Sequence, residues 1–208
     1  VGLAGETLTE MGELAEAGCV AFSQADRPLV DTQVLLRALQ YAATFGHAVW
    51  LRPQDPHLAR GGVAHDGEVA TRLGLPGIPV TAETVALATI FALVRQAKSR
   101  VHIARLSSAE GVSLVRGAKA EGLAVTCDVA AHHLHLSEVD LGWFDTQCRL
   151  EPPLRGTRDR AALRAGRVGG AGDEGYARAA PGQRRGDGAA LPAGGAVGDV
   201  AHRVDGLV

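Results

Sequence analysis

Two kinds of residue in this chain have the chemistry to build a site. The run AHHLHL (131–136) holds His132, His133 and His135. Imidazole nitrogens converging at the C-terminal end of a parallel strand can hold a metal ion. Such a site needs three or four convergent ligands, and no other strand end clearly supplies them. The alternative is a hydrogen-bonded or solvent-facing histidine cluster. The second kind is arginine. CVAF leads into Ser23, Gln24, Ala25 and Asp26, AVWL leads into Arg52, and VHIA leads into Arg105. A guanidinium is always protonated and has no lone pair to give a metal. Arginines at two strand ends suit an anionic ligand or carboxylate partners, and structural ion pairs account for them equally well. The phosphate-cradling GxxxxGK[ST] loop and the GxSxG nucleophile turn are both absent.

The elements that must position these residues alternate along the first ~160 residues. The segment 6–18 has Leu8, Met11, Leu14 and Ala15 at helical spacing and stops at Gly18. CVAF (19–22) reads as a short strand. Asp31 is placed to cap a helix carrying Val34, Leu35, Ala38, Leu39 and Ala42 up to Gly46. AVWL (48–51) is the next strand, followed by a long loop rich in Pro, Gly and His. A strongly apolar helix spans 81–97, then VHIA (101–104), a helix near 108–120, and LAVTCDVA (123–130). Strands without polar alternation, each joined to the next by a helix, predict an α/β fold with a parallel sheet. A (β/α) barrel and a doubly wound sheet both fit that pattern.

Composition narrows the function classes. At 208 residues the chain is long enough for one sizeable domain. A net charge of -2 gives no electrostatic reason to expect nucleic acid or an anionic membrane. Aromatics at 4% are too few for a base-stacking platform. Cys19, Cys127 and Cys148 are odd in number and widely spaced, which suits reduced thiols in a cytoplasmic protein. No apolar stretch is long enough to span a bilayer. The chain starts at Val1 with no signal-peptide pattern, which reads as an internal start.

From Ala165 the composition shifts. Residues 165–208 are crowded with Gly, Ala and Arg, lack Ile and Phe, and show no sustained apolar period. Such a segment buries too little surface to offset its chain entropy. It reads either as a flexible linker or as the product of a frameshift in a GC-rich gene.

Five stretches carry a resemblance. GLAGETLTEMGELAEAGCVAFS (2–23), GEVATRLGLPGIP (67–79), VHIARLSS (101–108), AAHHLHL (130–136) and PPLR (152–155) together resemble class I dihydroorotase, an amidohydrolase-superfamily (β/α) barrel. The resemblance covers about residues 1–164 and implies a partial barrel of that type, followed by an irregular tail. It also implies zinc chemistry, in which a metal-activated hydroxide opens dihydroorotate and the reverse reaction cyclises carbamoyl aspartate.

The positions that answer to the family's metal site have changed. Gln24 and Ala25 stand where the family has an Asp pair, with Asp26 next in line as a one-residue shift. Arg52 and Arg105 each stand where the family has a His ligand, and Glu151 replaces the substrate-binding Asn before PPLR. The family's N-terminal HxH ligands and C-terminal catalytic Asp lie outside the matching segment. Three altered ligands argue against a working metal centre. The pattern is similar to the noncatalytic dihydroorotase-like chain that some bacteria pair with aspartate carbamoyltransferase. YAATF (41–45), TAETVALA (81–88) and the Gln in WLRPQD strengthen that likeness. It implies a pseudoenzyme without cofactor, in a cytoplasmic hetero-oligomer with the aspartate carbamoyltransferase catalytic chain. The alternative is an active zinc-dependent dihydroorotase represented by a fragment.

Overall fold

The computed structural model describes residues 5–28 and 30–166. The tail assigned to 165–208 therefore lies outside the described residues, except for Ala165 and Gly166, which finish a helix.

The chain alternates as its apolar spacing predicts. The first helix, α1 (Met11–Glu16), is followed by β1 (Ala21–Ser23), α2 (Thr32–Thr44) and β2 (Ala48–Leu51). A small unit comes next: β3 (Ala64–His65), α3 (Glu68–Leu73) and β4 (Gly77–Ile78). Then follow α4 (Thr81–Ala97), β5 (Arg100–Ile103), α5 (Ala109–Ala120), β6 (Val125–Cys127), α6 (Ala131–His135) and α7 (Thr157–Gly166).

Four strands form one parallel sheet in the order β1-β2-β5-β6. Each strand is added beside its predecessor without reversal of order. A doubly wound sheet would reverse its order and carry helices on both faces. Here Val49, Leu51, Val101, Ile103 and Val125 share one core with Leu35 and Leu39 of α2, Leu87 and Phe91 of α4, and Val112 and Val115 of α5. The helices thus cover one face, as in a segment of a (β/α) barrel. The opposite face carries the cross-strand row Ser23, Trp50, His102 and Thr126. Alternation is therefore present. It is masked in the sequence because Trp50 reads as apolar beside Val49 and Leu51.

Local signals explain the boundaries. The Asp31 carboxylate accepts from the amides of Gln33 and Val34, capping α2 as expected. Ser108 caps α5 by accepting from Gly111 N at 3.0 Å. The helix predicted over 6–18 shrinks to α1, in which only Met11 is buried and Glu10 provides no side-chain cap. A turn with so little to pack against does not extend. The first strand lies at 21–23 rather than 19–22, because Ala21, Phe22 and Ser23 are the residues in register with Ala48, Val49 and Trp50. The loop after β2 is not structureless. Its two-residue parallel strands are too short to leave a periodic signal, while Gly74 closes α3 in the left-handed conformation (φ 67°). No helix among the described residues is long and apolar enough to cross a membrane.

Beneath the strand ends lies a buried polar cluster. Glu83, in the first turn of α4, is 2% exposed. Its Oε2 accepts from Ser107 N (2.9 Å) and Oγ (2.5 Å), and its Oε1 from Ser108 N (3.0 Å) and Oγ (2.5 Å). Buried Arg155 donates through Nε to Ser107 Oγ (3.2 Å) and through Nη1 to the Ile78 carbonyl (2.6 Å) and His65 Nδ1 (3.2 Å). Burial and the Arg155 charge hold His65 below the usual imidazole range, which matches its acceptor role. Asp159 of α7 accepts from Ala109 N at 2.8 Å. Gly111 must lack a side chain, because a Cβ there would meet the Glu83 carboxylate and Leu106.

Replacing Glu83 strands two amides and two hydroxyls and removes a negative charge that buried Arg155 feels. Glu83→Ala is therefore expected to destabilise the chain by roughly 3–5 kcal/mol. Asp31→Ala, which removes only an exposed cap, is expected to cost about 1 kcal/mol. Denaturant unfolding midpoints of the two variants check the ranking.

Candidate functional site

The C-terminal ends of the four parallel strands present the residues able to do chemistry. Arg52 follows β2 directly, and its side chain is only 4% exposed. Its Nη1 donates to Glu151 Oε2 at 2.9 Å, while its Nε is buried without an acceptor. Arg105 lies two residues beyond β5 with a left-handed backbone (φ 58°). Such a conformation is unfavourable for a side chain of this size and needs support from its surroundings. That support is visible: Arg105 N donates to Asp128 Oδ1 at 2.6 Å, Ala104 N to the Leu51 carbonyl, and Leu106 N to the Asp128 carbonyl. The Arg105 guanidinium pairs with Asp26 and donates through Nη1 to the Glu151 carbonyl at 3.2 Å.

Strand-end position singles out Arg52 and Arg105, the resemblance singles out Glu151, and the fold puts the three in contact. Gln24 is half-buried in the loop after β1 that also delivers Asp26. Asp26 is occupied by Arg105, so the carboxylate offered by a one-residue shift serves an ion pair. Asp128 escaped notice in the sequence, although it ends β6 as Arg52 ends β2. Burial alone would raise its pKa. Hydrogen bonds from His102 and from the Arg105 amide outweigh that effect and hold its carboxylate below the usual range.

His102 is a structural residue within β5. Its Nδ1 meets Thr126 Oγ1 at 2.8 Å and its Nε2 meets Asp128 Oδ2 at 3.0 Å. The carboxylate can only accept, so Nε2 carries a proton and donates it to Asp128, while the threonine hydroxyl, able to donate or accept, meets Nδ1. The ring also packs on Trp50, with centroids 4.6 Å apart. His102 thereby orients Asp128, which in turn fixes the backbone at Arg105.

The histidine run is a helix, α6, and its three imidazoles do not converge. His133 is 2% exposed and its Nε2 donates to the Pro153 carbonyl at 3.1 Å. His132 stacks near it, with centroids 4.5 Å apart, and its Nε2 is buried without a partner. His135 is exposed. Successive helical positions point about 100° apart, so three ligands cannot meet here. Burial, then the Arg105 charge, lower the His132 pKa.

The donor set at these strand ends does not fit a zinc centre. Two of the four ends offer guanidiniums, which repel a cation and supply no lone pair. The nearby carboxylates of Asp26 and Glu151 are engaged by those guanidiniums. Among the described residues no group of three or more His, Cys, Asp and Glu side chains is arranged to hold a metal ion.

Burial drives the His133 pKa from 6.5 down to about 4. The unfolded chain therefore binds this proton more readily than the fold does. Stability is complete above the unfolded value and declines as pH falls from 6.5 towards 4, by up to about 3 kcal/mol. Urea midpoints across that window should show the decline, and His133→Gln should remove this part of it.

Comparisons with known proteins bear on the family and the fold. A family model described as "Dihydro-orotase-like" matches residues 1–111. A "Dihydroorotase-like protein" of Pseudomonas aeruginosa is 48% identical over 163 residues, covering 78% of this chain and 38% of that protein. A "Dihydroorotase" of Pelotomaculum thermopropionicum is 46% identical over 169 residues, covering 81% of this chain and 40% of that protein. The chain thus spans about two fifths of the length of these relatives. Among solved structures, L-hydantoinase from Arthrobacter aurescens superposes with a TM-score of 0.61 at 21% identity, over 74% of this chain and 36% of that one. A D-hydantoinase does so with a TM-score of 0.60 at 23% identity, over 77% and 37%. These likenesses show the fold: the four-stranded sheet is part of an amidohydrolase-type (β/α) barrel. With the family model matching over half its length, the chain belongs to the dihydroorotase-like family.

Proposed function

We propose that this chain is a noncatalytic dihydroorotase-like subunit that supports assembly of aspartate carbamoyltransferase in pyrimidine biosynthesis. The observation that carries the reading is the pair of guanidiniums at the ends of β2 and β5, each engaged by a carboxylate. A hydrolytic centre of the family's kind needs a metal-activated hydroxide and a polarised carbonyl. Arg52 and Arg105 can orient or neutralise an anion, but neither can generate that nucleophile. The residues present therefore support a retained fold without the family's reaction. In this reading the chain acts through its surface, in a cytoplasmic hetero-oligomer with the aspartate carbamoyltransferase catalytic chain, and requires no cofactor.

A second reading is an active zinc-dependent dihydroorotase of which this chain is a segment. It is favoured by relatives of 46% and 44% identity that bear the name "Dihydroorotase". The two readings diverge in the test tube. Purified chain incubated with zinc and carbamoyl aspartate is expected to form no dihydroorotate above background, and to retain no stoichiometric zinc after dialysis. It is also expected to co-elute with the aspartate carbamoyltransferase catalytic chain on size exclusion. Zinc-dependent turnover overturns the noncatalytic reading, and separate elution overturns the assembly role.

A further inference from the structure

We propose that Arg52 and Arg105, with His132 near Arg105, form a binding site for a small phosphate-bearing molecule. The inference rests on the reading that these strand ends are not a metal centre. It starts from groups the fold leaves unsatisfied. Arg52 is 4% exposed and makes a single side-chain hydrogen bond, through Nη1, while its Nε lies buried with no acceptor. His132 Nε2 is buried and unpartnered as well. Buried polar groups almost always find partners, because leaving one unmade is costly. The orphaned Arg52 Nε, and the partly exposed Arg105 guanidinium joined to Arg52 through Glu151, call for an acceptor that reaches both.

The acceptors now in place are poor competitors. The Glu151 side chain is 59% exposed and that of Asp26 is 71% exposed. Exposed carboxylates of this kind hold a guanidinium only weakly, because water screens the attraction and the side chains lose freedom. Asp128 does not compete, since one of its oxygens takes the His102 ring and the other the Arg105 amide.

Charge and acceptor count select the ligand. Displacing Glu151 and Asp26 removes two negative charges from the guanidiniums, and a phosphate monoester restores nearly two. A carboxylate offers two oxygens, whereas a phosphate group offers three or more for the N–H groups of two guanidiniums. Guanidinium forks also match phosphate in a bidentate manner. The span is small: Glu151 alone touches both arginines, Arg52 through its carboxylate and Arg105 through its carbonyl. One phosphate-sized group is enough to engage both.

Calorimetric titration of the purified chain with inorganic phosphate, at ionic strength held constant with chloride, tests this directly. Saturable binding is expected, with acetate at the same ionic strength binding far more weakly. Arg52→Lys and Arg105→Lys keep the charge but lose the fork, and each should weaken binding about tenfold. Glu151→Gln and Asp26→Asn change only exposed groups and remove the competitors, so each should tighten binding. Failure to saturate, or equal affinity in the lysine variants, overturns the site. So does weaker binding in Glu151→Gln and Asp26→Asn. Retention of about two zinc ions per chain would sink the noncatalytic reading and this site together. Neither zinc nor phosphate binding would sink the phosphate site alone.

Discussion

The carboxylate of Glu83 accepts four hydrogen bonds in a place water does not reach, and the strand-end loops are arranged around it. Its four donors all come from Ser107 and Ser108, so the loop leaving β5 has one permitted path. Ser107 then passes the constraint to Arg155, whose guanidinium also grips the Ile78 carbonyl and His65. One carboxylate thus ties the start of α4, the loop after β5, the segment before α7 and the β3–β4 unit. A buried ion network of this kind is not obviously more stabilising than apolar packing would be. Its value lies in specificity, because a half-satisfied version is strongly disfavoured. Arg105 lies only two residues before Ser107, so its left-handed backbone is imposed from both sides.

This arrangement gives the family resemblance a physical content. The stretches that carry it, LPGIP, TAET, RLSS and PPLR, supply Ile78, Glu83, the Ser107–Ser108 pair and Arg155. They are far apart in sequence and meet in a single cluster. A lone glutamate in the first turn of an otherwise apolar helix was the visible sign. Its partners were not legible, because contacts across 24 to 77 residues leave no trace in local spacing.

Elements long enough to show a period were readable: AVWL became β2 residue for residue, and the apolar run 81–97 became α4 with the same limits. Elements decided by pairing were not. The strands β3 and β4 have two residues each and exist because they pair with one another. The five-residue helix α6 owes its place to packing against α7 and to His133 reaching Pro153. At the site, residue types gave the arginines and Asp26, while the Asp26–Arg105 pairing and the role of Asp128 emerged only when the loops were placed.

The separation between the buried cluster and the rim above it explains how side chains at the rim can vary while the fold persists. A metal centre joins strand ends through one cation and several ligands. Here Arg52–Glu151 and Arg105–Asp26 span the same ends, and Glu151 links the two through its carbonyl. Each link is weak, since one partner is mostly in water. Nothing beneath depends on them. Glu83, Ser107, Ser108 and Arg155 are all buried and are satisfied by one another and by backbone groups. The rim can therefore vary in its side chains without loosening the loops that present it. An arginine in left-handed conformation at the end of β5 is tolerable for the same reason: Asp128 on one side and the Glu83 cluster on the other hold the backbone, whatever side chain it carries.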